Sequence, residues 1–178
     1  MQARSPLMIE HRLIEKMIAL IRQTLSQTDK EKKIDPAFVD IAIDFFHTYA
    51  DRTHHGKEED ILFRDLNKKD LREEDRRLMN ELIEEHISGR RIAQRIFEAN
   101  SRYRNGDEPA LKEIASHLSS LTEFYRKHIE KEDKEFFPAA RRYFSEQEDQ
   151  AMLSEFWEFD RKMIHEKYVA VVEALEGQ

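Results

Sequence analysis

Apolar residues recur along this chain at spacings of three and four, the pattern of amphipathic helices rather than strands. Leu7, His11, Ile14, Ile18, Ile21 and Leu25 form one stripe and predict a first helix from about Leu7 to Thr28, ended by the polar run Asp29 to Lys33. Asp35-Pro36 offers an N-cap and a proline for the first helical position. A second helix is expected from there to about Leu66, with Ile43, His47, Ala50, His54, Glu58 and Ile61 inward. Asp70, with Glu73 three residues on, predicts the start of a third helix. Its stripe is Met79, Leu82, His86, Gly89, Ala93 and Ile96, and Asn105-Gly106 stops it. A fourth opens at Asp107 with Pro109 in its first turn and carries Ile114, His117, Leu121, Phe124, His128, Glu132 and Glu135. Pro138 is expected to end or kink it. Ser145 and Glu148 have capping-box spacing for a fifth helix, with Leu153, Trp157, Ile164, Tyr168, Val171 and Leu175 on its apolar side.

Short connections make neighbouring helices antiparallel. The expected fold is all-α, an up-down-up-down four-helix bundle over residues 1–144 with an additional C-terminal helix over residues 145–178. That helix is expected to pack on the bundle or to form a dimer contact. A chain of 178 residues fits one domain with a single core.

Composition narrows the chemistry. The chain has no cysteine, which excludes disulfides, iron–sulfur clusters, thiolate nucleophiles and cysteine-based zinc sites. A metal site has to use imidazole and carboxylate, which suit iron, manganese or zinc. A net charge of -7 disfavours nonspecific nucleic-acid binding. The basic pairs Arg76-Arg77, Arg90-Arg91 and Arg141-Arg142 are interleaved with acids and read as solvated faces. No apolar run has membrane-spanning length, and Met1 to Glu10 lacks a signal-peptide pattern. A soluble, cytoplasmic protein is expected, with neither nucleic acid nor membrane as partner.

The first two predicted helices resemble the next two. Glu10-His11 matches Glu85-His86, and His54 with Glu58 four residues on matches His128 with Glu132. Lys57-Glu58-Glu59 lines up with Lys131-Glu132-Asp133, and Leu62-Phe63 with Phe136-Phe137. A helix pair bearing one histidine, then a histidine and a glutamate, has been used twice. Residues four apart share a helix face, so each His–Glu pair is able to reach one ion. All six groups lie on otherwise apolar stripes, where burying ionisable groups costs several kcal/mol unless compensated. Dications provide that compensation. His11, His54, Glu58, His86, His128 and Glu132 are therefore the candidate ligands. Two six-coordinate ions offer twelve positions. If both glutamates bridge, four histidines and one bridging oxide or hydroxide leave two positions for water, a small ligand or further side chains.

Other polar residues stand nearby. His55 and Glu59 follow ligands directly, about 100° further round an α-helix, which favours surface placement or a place behind the ligands over a role as further ligands. His47 and His117 read as hydrogen-bonded core histidines, or as partners behind the ligands, and Tyr125 lies one turn from His128. Gly89, one turn from His86, serves close packing or leaves room for a ligand.

The motifs Glu10-His11, His54-His55-Gly56-Lys57-Glu58-Glu59, Glu85-His86 and His128-Ile129-Glu130-Lys131-Glu132, ending in Phe136-Phe137-Pro138, resemble those of the hemerythrin-like family, also called HHE cation-binding domains. The resemblance spans about residues 7 to 140. It implies a non-haem di-iron site in a four-helix bundle, with two bridging carboxylates, that binds oxygen, nitric oxide or peroxide, or senses iron and oxygen. One position departs. Oxygen-carrying hemerythrins have a second histidine four residues after that of the third helix, and here it is Arg90. This favours sensing, nitric oxide binding, or peroxide and redox chemistry over reversible oxygen carriage. His165 on the fifth helix is a candidate to cap the site in its place. Three classes remain: a di-iron binder or sensor, possible as a homodimer and read by another molecule; a di-iron enzyme acting on peroxide or oxygen; and a structural bundle with zinc or no metal.

Overall fold

The computed structural model describes residues 4–176, with side chains described as far as Met163 and at Lys167. No strand occurs among the described residues. Helix α1 is Arg4–Glu31, α2 is residues 36–66, α3 is Glu73–Arg104, α4 is residues 110–140 and α5 is Glu146–Glu176. No helix among these residues is long and apolar enough to cross a membrane. The Asp35 carboxylate accepts the Ala37 N–H at 2.9 Å, so the predicted cap of α2 forms. Gly106, at φ +92°, closes α3 in the left-handed region that favours glycine. Asp70 is not a cap: α3 begins at Glu73, behind an Arg72 that makes no capping hydrogen bond through its side chain.

Helix α1 packs on α2 and α4, α3 packs on the same two, and α5 lies on α2. Two apolar clusters fill the interior. Ile14, Ile21, Phe46, Ala50, Ile96 and Leu121 belong to one; Leu7, Ile61, Phe63, Leu82 and Phe136 belong to the other. On each of α1 to α4 the expected ligands lie between these clusters. Large side chains buried this fully stabilise by roughly 1.5–3 kcal/mol each, so a polar layer is clamped from both ends by packing.

The helices are not uniform. Helix α2 widens into π-helix over Phe45–His55 and again over Glu58–Phe63, and α4 does so over Glu132–Phe136. The Thr53 hydroxyl donates to the Thr48 carbonyl, five residues back, at 2.8 Å, inside the first of these stretches. Bonding from i to i+5 puts more residues in each turn, so each advances less round the axis than in an α-helix. The inward face then follows Phe46 and Ala50, which are buried, whereas His47 is exposed. His47 is thus not a core histidine, and His117 is only half-buried. Likewise Glu135 is exposed and Phe136 takes the inward place. Pro138 does not end α4; the chain stays helical through Ala140, two residues beyond it.

The Ser145–Glu148 box caps α5: the Ser145 N–H and hydroxyl each donate to Glu148 at 2.9 Å. Met152 and Phe156 enter the second cluster. The Phe159 ring lies over Gly56, where a Cβ would come within 2.7 Å of it. Next to it the fully buried Lys57 ammonium donates to Asp160 at 2.6 Å and to Glu10. Removing one member of a buried ion pair costs about 3–5 kcal/mol. Lys57→Met is expected to lower Tm by roughly 6–20 °C, given the usual 2–4 °C per kcal/mol for a chain of this size. An unchanged melting curve would show that this ammonium does not hold α5 to α2.

Candidate metal centre

The six expected ligands converge. His11, Glu58, His86 and Glu132 are fully buried, and His54 and His128 nearly so. Ligand-capable atoms of His11, His54, Glu58 and Glu132 lie within 4.8 Å of one another, and those of His86 and His128 do so with His55. The two glutamates span the groups. Glu132 sets Oε2 3.1 Å from His11 Nε2 and Oε1 3.2 Å from His128 Nε2. Glu58 sets Oε1 3.7 Å from His54 Nε2 and Oε2 3.4 Å from His86 Nε2. Each carboxylate thus turns one oxygen to each histidine group.

A second layer aims the imidazoles. The Nδ1 of His11 donates to Asp133 at 2.8 Å, that of His54 to Glu10 at 2.9 Å, that of His86 to Glu59 at 2.7 Å and that of His128 to Glu85 at 2.8 Å. A carboxylate only accepts, so each ring keeps its proton on Nδ1 and turns the Nε2 lone pair inward. Cations hold these acids in turn. Lys57 donates to Glu10, Lys131 to Glu85 at 2.5 Å, Arg90 to Glu59 at 2.6 Å, and Arg12 to Asp133. The internal repeat runs through this layer. The acid before His11 or His86 grips the histidine of the following helix. The acid after Glu132 or Glu58 grips the first histidine of the other copy. The sequence offers Glu59 a place behind the ligands; Glu10, Glu85 and Asp133 were not singled out, although the matches of Glu10-His11 with Glu85-His86 and of Lys57-Glu58-Glu59 with Lys131-Glu132-Asp133 carried the signal.

Four marginal residues are settled by geometry. His55 is not on the surface: it is 1% exposed, with its ring stacked 3.8 Å from His86 and 5.4 Å from His128. The π-helical turn brings it inward beside His54. Glu59 is part-buried and serves His86 from behind. Gly89 serves close packing, since a Cβ there would lie 3.0 Å from Phe124, whose ring stacks on His128. Tyr125 meets the site through its ring, nearly parallel to His55 at 6.0 Å. The His165 side chain lies outside the described residues.

The donor set fits metal ions. His55 Nε2, His86 Nε2, His128 Nε2 and both oxygens of Glu58 and Glu132 are buried and have no hydrogen-bond partner. His11 Nε2 and His54 Nε2 face each other at 2.9 Å, two lone pairs that repel unless a cation or a proton lies between them. The family model for the hemerythrin HHE cation binding domain matches residues 4–167. The chain belongs to the hemerythrin family. No curated protein and no solved structure gave a match.

In this hemerythrin-family chain, protons compensate the buried carboxylates when metal does not. Burial opposes a charge on His11, but Asp133 and Glu132 outweigh it and push its pKa up to about 10. Burial opposes charge on His86 too, yet Glu132, Glu58 and Glu59 raise it well above the usual range. Burial acts against the ionised Glu132 as well, and His128, His11 and His86 hold it well below the ordinary carboxylate value. His55 goes the other way: burial and the charges of His86, His128 and His54 keep it neutral. A histidine with a raised pKa stabilises the metal-free fold fully below its ordinary 6.5, and that contribution is lost as pH rises through about 10. A metal ion displaces the same proton. Loading the metal-free protein with zinc or ferrous iron near pH 7.5 is therefore expected to release protons. The affinity should fall about tenfold per pH unit of acidification for each proton released. A pH-stat titration that detects no release would show that His11 is not protonated in the metal-free state.

Proposed function

We propose that the chain is a cytoplasmic, up-down-up-down four-helix protein that holds two iron ions through His11, His54, Glu58, His86, His128 and Glu132. The two glutamates bridge, together with an oxide or hydroxide. The observation that carries this reading is the division of each buried carboxylate between two histidine groups, one oxygen to each. Two imidazoles and carboxylate oxygen per ion, with positions left over, is a donor set suited to non-haem iron; manganese and zinc accept the same atoms. When bound, such a pair supplies redox capacity and open positions for a small ligand.

The chain's own residues restrict that ligand. Every proposed donor residue is at most 2% exposed and enclosed by packed helices, so only a molecule of the size of oxygen, nitric oxide or peroxide fits the role. The acids behind the imidazoles hold the rings in one orientation and keep the Nε2 lone pairs on the ion side. These features support binding or sensing of a small ligand, or of iron and redox state. An enzyme that decomposes peroxide or reduces oxygen shares the same site and is separated by turnover.

Protein loaded anaerobically with ferrous iron is expected to hold about two irons per chain and to gain near-ultraviolet and visible absorption on oxidation. Glu58→Ala and Glu132→Ala, made singly, should each lose most of the iron. Full iron retention by both variants would refute bridging. Zinc without iron in carefully prepared protein would favour the structural reading. Spectral shifts with oxygen, nitric oxide or peroxide without turnover would mark a binder or sensor, and multiple turnovers would mark an enzyme.

A further inference from the structure

We propose that His55 is a seventh metal ligand, the third imidazole on the ion held by His86 and His128. The proposal rests on the two-ion reading above and goes beyond its six residues. The first support is place. One ring nitrogen from each of His55, His86 and His128 lies within 4.8 Å of the others, and binding one ion with His86 requires the His55 ring to turn out of its 9° stack on that imidazole.

The second support is hydrogen bonding. His55 has the arrangement of the other four inward histidines. Its Nδ1 faces a carboxylate, Asp51, at 3.4 Å, and its Nε2 is buried with no hydrogen-bond partner. Asp51 is itself held by Arg90 at 2.7 Å. Arg90 stands where the resembling oxygen carriers have their extra histidine. Here it orients the acid behind a histidine that comes from a different helix.

The third support is the internal repeat. His54 aligns with His128, so His55 aligns with Ile129. Ile129 is also buried, at 3% exposure, and belongs to the apolar core. In the second copy this inward position is filled by a hydrocarbon side chain. Filling space therefore does not require an imidazole at the first copy, and a buried ring nitrogen without a partner costs stability. A metal ion accepts that lone pair. His55 then occupies one of the two coordination positions that the six-residue count left over, and the two ions become unequal, with three imidazoles on one and two on the other. The π-helical stretch Phe45–His55 makes this possible, since it lets His54 and His55 both face the interior.

The test compares the parent protein with His55→Phe, which keeps a ring but has no donor atom, and with His55→Ala. Each is titrated anaerobically with ferrous iron, and the oxidised products are read by Mössbauer spectroscopy. The parent is expected to take up two irons per chain with two distinct quadrupole doublets. Both variants should bind the second iron at least about tenfold more weakly, since even a partner behind a ligand is worth that much, and one doublet should change. Added imidazole should restore the parent spectrum in His55→Ala. Two irons at parent affinity with unchanged doublets in both variants would overturn the proposal. So would loss of the helical circular dichroism signal in both metal-free variants, which would assign His55 to packing. A parent chain without two irons would instead remove the two-ion reading on which the proposal stands.

Discussion

Two carboxylates, Glu58 and Glu132, lie fully buried at the centre of the helices, and the rest of the polar structure answers to them. An ionised carboxylate in an interior is sustained only by opposite charge and hydrogen bonds. Charge alternates outward from this pair. Imidazoles surround the glutamates. Acids stand behind the imidazoles: Asp133, Glu10, Asp51, Glu59 and Glu85. Ammonium and guanidinium groups stand behind the acids. Each shell compensates the one inside it; Arg12, Arg90 and Lys131 reach solvent, and the fully buried Lys57 is compensated in turn by Asp160.

The arrangement is reciprocal between the two halves of the chain. Glu59 of the first copy orients His86 of the second, and Asp133 of the second orients His11 of the first. Neither helix pair aims all of its own histidines. The donor set is therefore complete only when α1 and α2 dock with α3 and α4, which couples ion binding in the proposed site to the packing of the whole interior. Leu7, Phe63 and Phe136 on one side, and Ile14, Ala50 and Leu121 on the other, hold the polar layer at one level.

Helix α5 breaks the symmetry. It meets α2 at Gly56 and Lys57, which lie between His54 and Glu58. Lys57 joins Asp160 of α5 to Glu10, and Glu10 holds His54. The equivalent Lys131 reaches Glu81 and Glu85 on α3. The first His–Glu pair thus has a polar connection to the fifth helix through this lysine, and the second pair has its counterpart within α3 and α4.

The amino-acid order by itself determined the all-helical class, the helix ends at Asp35 and Gly106, the capping box of α5 and the twofold use of a His, His–Glu pattern. These are local matters, governed by spacing along one helix and by side chains within a turn of their backbone partners. The six inward ligand candidates were legible for the same reason: polar residues on an apolar stripe stand out. Only the tertiary structure decided that His55 turns inward, that His47 turns out and that Asp70 caps nothing. The expected faces follow an α-period of 3.6 residues, and the wide π turns of α2 and α4 shift the face beyond them. The acids that aim the histidines were visible as repeated residues but had no partners in sequence, because each acts across a helix interface on an imidazole in another helix.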